Sequence, residues 1–408
     1  MKRIIILGAG AQGSTVAKRM DLEPGVGEIL CADADLRAVQ DLAGQLNKGI
    51  PLKLDASDPG VLTRAARGSF LMVNALPMAF GRIALEAALR AEVHYQDFAA
   101  ADTPDVEWVE GIRTMFTQTS RRFEAIGKTA LISTGSAPGL ICVAARRAVR
   151  ELDSCDSIAM YVYEGVEARR FLPFWWSPQV AYQDMNDTAW TFENGELVPV
   201  EPFSRPVFMT FPGLDREVRL VEHSHDEPVH MGLHAREYFK GARNICFKYG
   251  GTGIEFAEPL YRMGMLSDRP VEVDGVPVVP RNLLLKLTPP APKYREEIRE
   301  ILEEGLVSDT GVMAVHAEGL KGGKKVRVEI SVNAPGCAEA FARSGLTGET
   351  YLTGQGGAIF TGMMVNGLFT RRGLFSSDML DDGQVDYYLE KAAELDITLD
   401  LALRPLEG

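Results

Sequence analysis

Apolar and polar residues alternate along this chain in two different rhythms. Over roughly the first 135 residues, short and nearly unbroken apolar runs are separated by stretches with apolar residues three and four positions apart. The runs suit strands buried on both faces, and the wider spacing suits helices that pack one face. Strands fall at 4–7, 28–33, 50–54, 69–75, 93–97 and 129–133. Between them one helix carries Val16, Ala17 and Met20 and ends before Pro24. A second, capped by Asp35, carries Leu36, Val39, Leu42 and Leu46. A third opens with Asp58 as cap and Pro59 in its first turn, a fourth covers 81–91, and Thr103-Pro104 opens a long helical stretch to Gly127. This alternation predicts an α/β fold with a Rossmann-type, doubly wound parallel sheet.

From Asp156 the rhythm changes. Strand-like runs at 157–163, 207–211, 217–221 and 245–249 are joined by a hairpin at 269–279 turning on Asp274-Gly275, and by a pairing of 312–318 with 325–332 around 319–323. Helices fit 281–287 and 294–304. The pattern predicts a second, α+β domain with a mainly antiparallel sheet. Small residues along 354–368 suit a helix in close contact with another element, either returning to the first domain or buried in the second. The expected division is therefore 1–135, with 352–385 returning to it, and 136–351 as a substrate-binding and oligomerisation domain.

The first strand runs into Gly8, Ala9, Gly10, Ala11, Gln12 and Gly13, a G-x-G-x-x-G turn into a helix. The first glycine allows the tight turn, the second leaves the backbone open to a pyrophosphate, and the third lets helix and strand lie close. Backbone N–H groups at the helix start then face the phosphates. Twenty residues on, Asp33 ends the second strand, where a carboxylate accepts the ribose hydroxyls of NAD; Arg37 nearby keeps NADP possible. Ligands of such sheets gather at the carboxyl ends of the strands, where Asp55, Asn74, Ala75, Leu76, Pro77 and Asp97 also lie.

Composition narrows the classes. With 408 residues, 46% hydrophobic and 24% charged, the chain is long enough for two globular domains. Its net charge of −13 argues against a nucleic-acid partner, and no apolar run is long enough to cross a bilayer. Five scattered cysteines form neither a disulfide framework nor a zinc pattern, which suits the reducing cytoplasm.

The order IIILGAGAQGSTVAKRM, CADADLRAV, LDASDP, VNALP (73–77), VHYQD ending in Asp97, STGSAPGL (133–140) and the late GLFTRRGLF resembles the saccharopine dehydrogenase-like family. Within it, the lysine 6-dehydrogenase and saccharopine reductase branch is most similar. The resemblance covers nearly the whole chain. It implies a pyridine-nucleotide enzyme that oxidises an amine carbon or reduces an imine on an amino-acid substrate, with the second domain carrying the substrate and much of a homodimer contact. In lysine 6-dehydrogenases the segment matching 247–253 tends to carry an arginine and a histidine, where this chain has Tyr249 and Gly251. That weakens lysine as substrate and makes Tyr249 a candidate contact.

Oxidising an amine requires a neutral nitrogen and yields a cationic iminium, so a carboxylate beside the nicotinamide helps both. Asp97 is the catalytic candidate, with a loop-capping role as its alternative. The loop holding Ser136, Pro138 and Gly139 offers backbone donors to a substrate carboxylate, or is a plain connection. Four of six histidines fall within 223–234, where Glu222 and His223 are substrate-contact candidates. Their spacing matches no zinc pattern, and no metal is expected. Aromatics at 171–176 suit a pocket wall, a subunit contact or core. The rival readings are a carboxynorspermidine-type imine reductase and a dinucleotide-binding scaffold or redox sensor without turnover.

Overall fold

The computed structural model describes residues 1–100 and 106–406, so the expected helix start at Thr103-Pro104 lies outside the described residues. The chain divides into two compact units, Met1–Arg146 with Thr350–Leu395, and Arg147–Glu349 with Asp396–Gly408.

In the first unit six strands precede the change of rhythm: β1 (Lys2–Leu7), β2 (Val26–Asp33), β3 (Gly49–Lys53), β4 (Leu71–Asn74), β5 (His94–Asp97) and β6 (Thr129–Ile132). The strand Gly373–Ser376 returns to pair with β6, giving the order Gly373–Ser376, β6, β5, β4, β1, β2, β3, all parallel. The doubly wound sheet read from the apolar runs is therefore present. Strand order reverses between β1 and β4, the crevice where such sheets bind ligands. Ile4, Ile5, Ile6 and Leu7 are buried, as a central strand covered by helices on both faces requires. Helix α1 (Ala11–Leu22) follows β1. Asp35 and Asp58 cap α2 (Leu36–Ala43) and α3 (Pro59–Ala66) through their side chains, and Gly81–Ala91 forms α4.

The small-residue helix spans Gly348–Val365. Gln96 donates to the Gly357 carbonyl at 2.9 Å and accepts from the Thr361 hydroxyl at 2.8 Å, tying this helix to β5. A side chain at Gly357 would begin 2.3 Å from the Phe98 ring, so the small residue is what lets the helix approach.

The second unit carries β7 (Ser154–Ala168), β8 (Ala189–Glu193), β9 (Glu196–Val200), β10 (Val207–Met209), β11 (Val218–Glu222), β12 (Asn244–Gly251), β13 (Val271–Val273), β14 (Val276–Val278), β15 (Leu306–Lys321) and β16 (Lys324–Asn333). The main sheet runs β10, β11, β12, β7, β15, β16 and finally Thr398–Pro405, with the β8–β9 hairpin on β12. Only β12 and β7 pair in parallel along this path. The β15–β16 turn is tighter than the expected 319–323 loop. Only Gly322 and Gly323 form it, both at positive φ, as a two-residue hairpin turn needs, and β15 continues to Lys321. The β8–β9 hairpin turns on Asn194-Gly195, a signal the apolar rhythm alone passes over.

Candidate active site

In the first unit the site grows from the turn after β1. Gly8 sits at φ +96°, and its N–H donates to the Ala32 carbonyl at 2.8 Å. A Cβ at Gly13 would lie 1.9 Å from the Gly8 carbonyl oxygen, so only glycine lets α1 start this close to β1. A Cβ at Gly10 would meet nothing within 4 Å. Gly10 is the helix cap and makes no side-chain cap bond, so the first N–H groups of α1, including those of Ala11 and Gln12, are open to an anion. The loop after β4 lies against this turn, since a Cβ at Gly8 would meet the Ala75 carbonyl at 2.7 Å. Asn74 shapes that loop: its Oδ1 accepts from Leu76 N–H at 3.3 Å, ahead of Pro77, and its Nδ2 donates to the Tyr95 hydroxyl.

Asp33 binds the turn directly. One carboxylate oxygen accepts from Ala9 N–H at 2.9 Å and the other from Asp35 N–H at 3.0 Å. Each oxygen keeps a lone pair for a ribose hydroxyl. Asp55, after β3, accepts from the Ser57 N–H and hydroxyl, which holds its carboxyl below the usual range. Backbone cradle, uncapped helix start and paired carboxylate acceptors fit a dinucleotide.

Asp97 is only 1% exposed. Its Oδ1 accepts from Ser133 N–H at 2.9 Å, its carbonyl accepts from Thr134, and its carboxylate lies near the Tyr95 hydroxyl. Burial and that neighbouring carboxylate push the Tyr95 hydroxyl well up, so Tyr95 stays a donor. Asp97 therefore fixes the start of the 133–139 loop. Within it Ser136 Oγ lies 2.8 Å from Thr353 Oγ1, Pro138 follows a cis bond, and Gly139, at φ +136°, bridges back to Gly135 before the helix Leu140–Arg150.

The second unit separates residues that the sequence grouped. Successive side chains of a strand point to opposite faces. On β11 and β12, Val221 pairs with Tyr249 and Glu222 with Lys248. Glu222 Oε1 accepts from Lys248 Nζ at 2.7 Å, and both residues are buried. Glu222 is thus absorbed in an ion pair on the face opposite Tyr249. His223 stays with Tyr249: their rings meet edge to face, with centroids 5.0 Å apart. His223 Nδ1 lies 2.8 Å from the Ser224 carbonyl, while its buried Nε2 has no partner.

Neighbours that sequence reasoning did not assign complete this face. Glu164 Oε2 accepts from the Tyr249 hydroxyl and from Trp176 Nε1–H at 3.3 Å. His225 stacks on Phe247 at 4.0 Å and pairs through Nδ1 with Glu227 Oε2 at 2.6 Å. The charge of Glu227, with Asp184 and Asp226, outweighs burial and raises His225 to about 9. Burial raises Asp184 to about 8, and burial together with the His225 charge lowers His223 to about 3. Among the described residues no group of three or more His, Cys, Asp or Glu side chains is arranged to hold a metal.

These shifts give stability a sign. His225 and Asp184 both bind their protons more tightly folded than unfolded, so deprotonation disfavours the fold. The His225 contribution is complete below its ordinary 6.5 and lost as pH rises through about 9; ionisation of Asp184 up to about 8 pulls the same way. His223 acts oppositely, but only below 6.5. The melting temperature is expected to fall between pH 6.5 and 9, and Asp184→Asn to flatten that slope. A wild-type profile that rises across the window would contradict this arrangement.

The geometry first defines a class, a dinucleotide-dependent enzyme with a parallel nucleotide-binding sheet. Residues 4–131 match the model of the saccharopine dehydrogenase NADP binding domain. A carboxyaminopropylagmatine dehydrogenase from Synechocystis is 26% identical over 408 residues, covering 97% of this chain and 96% of its own. A carboxynorspermidine synthase from Vibrio alginolyticus is 26% identical over 357 residues, covering 83% and 78%. The fold is shared with apo saccharopine dehydrogenase (L-Glu forming) from Saccharomyces cerevisiae, at TM-score 0.67 and 15% identity over 100% of both chains. It is also shared with a homospermidine synthase from Legionella pneumophila in complex with NAD, at TM-score 0.65 and 12% identity over 100% of this chain and 92% of the other. Residues 4–131 thus form a saccharopine dehydrogenase-type NAD(P)-binding domain, in a dehydrogenase or reductase of amine or imine groups whose cofactor is NAD(P). Among the described residues no helix is long and apolar enough to cross a membrane.

Proposed function

We propose that this protein interconverts an imine and the corresponding secondary amine, at the bond joining an amino-acid carbon chain to the nitrogen of a polyamine or guanidino-amine. The observation that carries this reading is the end-to-end likeness to a carboxyaminopropylagmatine dehydrogenase, supported by the open glycine cradle of the first unit. Lysine is a weaker candidate because Tyr249 and Gly251 stand where lysine 6-dehydrogenases carry basic residues.

When bound, NAD(P)H supplies the hydride that, with one proton, turns C=N into CH–NH. The uncapped start of α1, with Gly10, Ala11, Gln12 and Gly13, would hold the pyrophosphate. Asp33 would hold the ribose and favour NAD, and Asp55 would lie at the adenine edge. Asn74, Ala75, Leu76 and Pro77 would line the nicotinamide side. Backbone donors of the loop with Ser136, Pro138 and Gly139 suit the substrate carboxylate. His223 and Tyr249 suit the amine half, whereas the ion pair of Glu222 gives it a structural role. A homodimer working in the cytoplasm completes the proposal.

Asp97 serves in this reading as a positioning residue, because its buried carboxylate accepts from Ser133 N–H at the start of the loop. Asp97→Asn keeps an acceptor for Ser133. It is expected to bind NAD(P) normally and to lower kcat severalfold without removing an ionisation from the pH profile of kcat. Loss of such an ionisation would instead make Asp97 the acid–base group. The activity itself is tested by following reduced-nicotinamide absorbance with carboxyaminopropylagmatine or carboxynorspermidine as oxidisable substrate. Saccharopine and lysine serve as comparison compounds, and preference for either of them would overturn the substrate class.

A further inference from the structure

Glu164 makes an arrangement that the dinucleotide chemistry does not use. It lies on β7 opposite Gly251 of β12, on the face that carries Val162 and, across the strand pair, Tyr249. Gly251 is at φ +120°, and a Cβ there would meet the Glu164 carbonyl at 2.0 Å, so β12 presses directly on this residue. Both donors to the carboxylate, the Tyr249 hydroxyl and the Trp176 indole N–H, reach Oε2. Among the described residues Oε1 accepts from none. Both donors are neutral, and no described lysine or arginine forms an ion pair with Glu164. A half-buried carboxylate without a counter-charge is costly, and burial accordingly raises its pKa. His223, beside Tyr249, is held neutral and does not provide the missing cation. Its Nε2 is buried without a partner, a second polar atom on this face left for a ligand.

A carboxylate held by an indole N–H and a phenol O–H on one oxygen, with the other oxygen left open, is the chemistry that recognises organic cations, because the charge of an ammonium or a guanidinium pairs with the open oxygen. We infer that Glu164, framed by Trp176 and Tyr249, is a binding site for the cationic end of the amine half of the substrate, an alkylammonium or a guanidinium. This assignment rests on the substrate class proposed above and names the group that selects it.

The test uses the full chain saturated with NAD(P)H, with norspermidine and agmatine as probes of an ammonium and a guanidinium end. Glu164→Gln keeps the size and the acceptor while removing the charge. It is expected to raise the calorimetric Kd of the preferred probe at least tenfold and to raise KM for the matching carboxylated conjugate more than it lowers kcat. KM for NAD(P)H should be unchanged. Trp176→Leu, which removes the ring but not the charge, is expected to weaken the same probe severalfold; thermal melts check that both variants fold. Unchanged Kd and KM in Glu164→Gln would overturn the site even if the wild type turns over. Glu164-dependent probe binding without turnover of any conjugate would overturn the proposed reaction and leave the cation site standing. Which probe binds more tightly decides between the ammonium and the guanidinium.

Discussion

Replacing Gly13 with alanine is expected to abolish NAD(P) binding and to destabilise the first unit at the same time. The new Cβ would sit 1.9 Å from the Gly8 carbonyl oxygen, which is backbone and cannot rotate away. Helix α1 would have to lift off β1, moving the N–H groups that receive the pyrophosphate. Overpacking of this kind costs about 1–3 kcal/mol or more. Gly10→Ala is the informative contrast. Its Cβ meets no heavy atom within 4 Å, so the variant should melt like the wild type. The same Cβ would occupy the approach to the helix start, and binding should weaken by about tenfold or more, roughly 1.4 kcal/mol. Fluorescence titration with NAD(P)H and thermal melts separate the two effects. Normal binding by both variants would remove the glycine cradle from the cofactor site.

Lys248→Met is the second large effect. It leaves the Glu222 carboxylate buried without its cation, and losing one partner of a buried pair costs about 3–5 kcal/mol. The cost should fall on the second unit, where the pair joins β11 to β12. Lys248 also donates to the Arg205 carbonyl at 2.9 Å, so a loop contact is lost too. The double variant Glu222→Leu/Lys248→Met removes both charges and should recover most of the loss, since apolar replacement of a buried pair is often close to neutral. Urea unfolding of the single and double variants measures this. If Lys248→Met unfolds at the wild-type midpoint, Glu222 is not held by this pair.

How far the sequence could be read followed the range of the interactions involved. Six strands of the parallel sheet were legible because most are short apolar runs closed by a local turn or cap, as Asp35 and Asp58 illustrate, whereas Gly373–Ser376 joins β6 from far along the chain and was not read as a strand. The glycine turn was legible for the same reason: Gly8, Gly10 and Gly13 act within six residues. The second unit was harder. Glu164 meets Tyr249 across 85 positions, and nothing near either residue announces the other. Trp176 belonged to an aromatic run that left pocket, contact and core open. Strand parity held a usable signal at Glu222, because pairing Val221 with Tyr249 sends the next residue to the other face. That register depends on the partner strand, which the sequence does not disclose. Asp97 shows the complementary limit. Its place at a strand end was readable, but its burial depends on Tyr95 and on a loop 36 residues away.

Hydride transfer by this chain at the C–N bond of an amino-acid conjugate of an amine would be read directly from absorbance at the reduced-nicotinamide band. Purified protein would be mixed with NAD or NADP and either carboxyaminopropylagmatine or carboxynorspermidine. Substrate-dependent reduction of the cofactor is expected with one of the two conjugates, NAD being preferred over NADP. No reduction with either conjugate, in a protein shown by titration to bind the nucleotide, would contradict it.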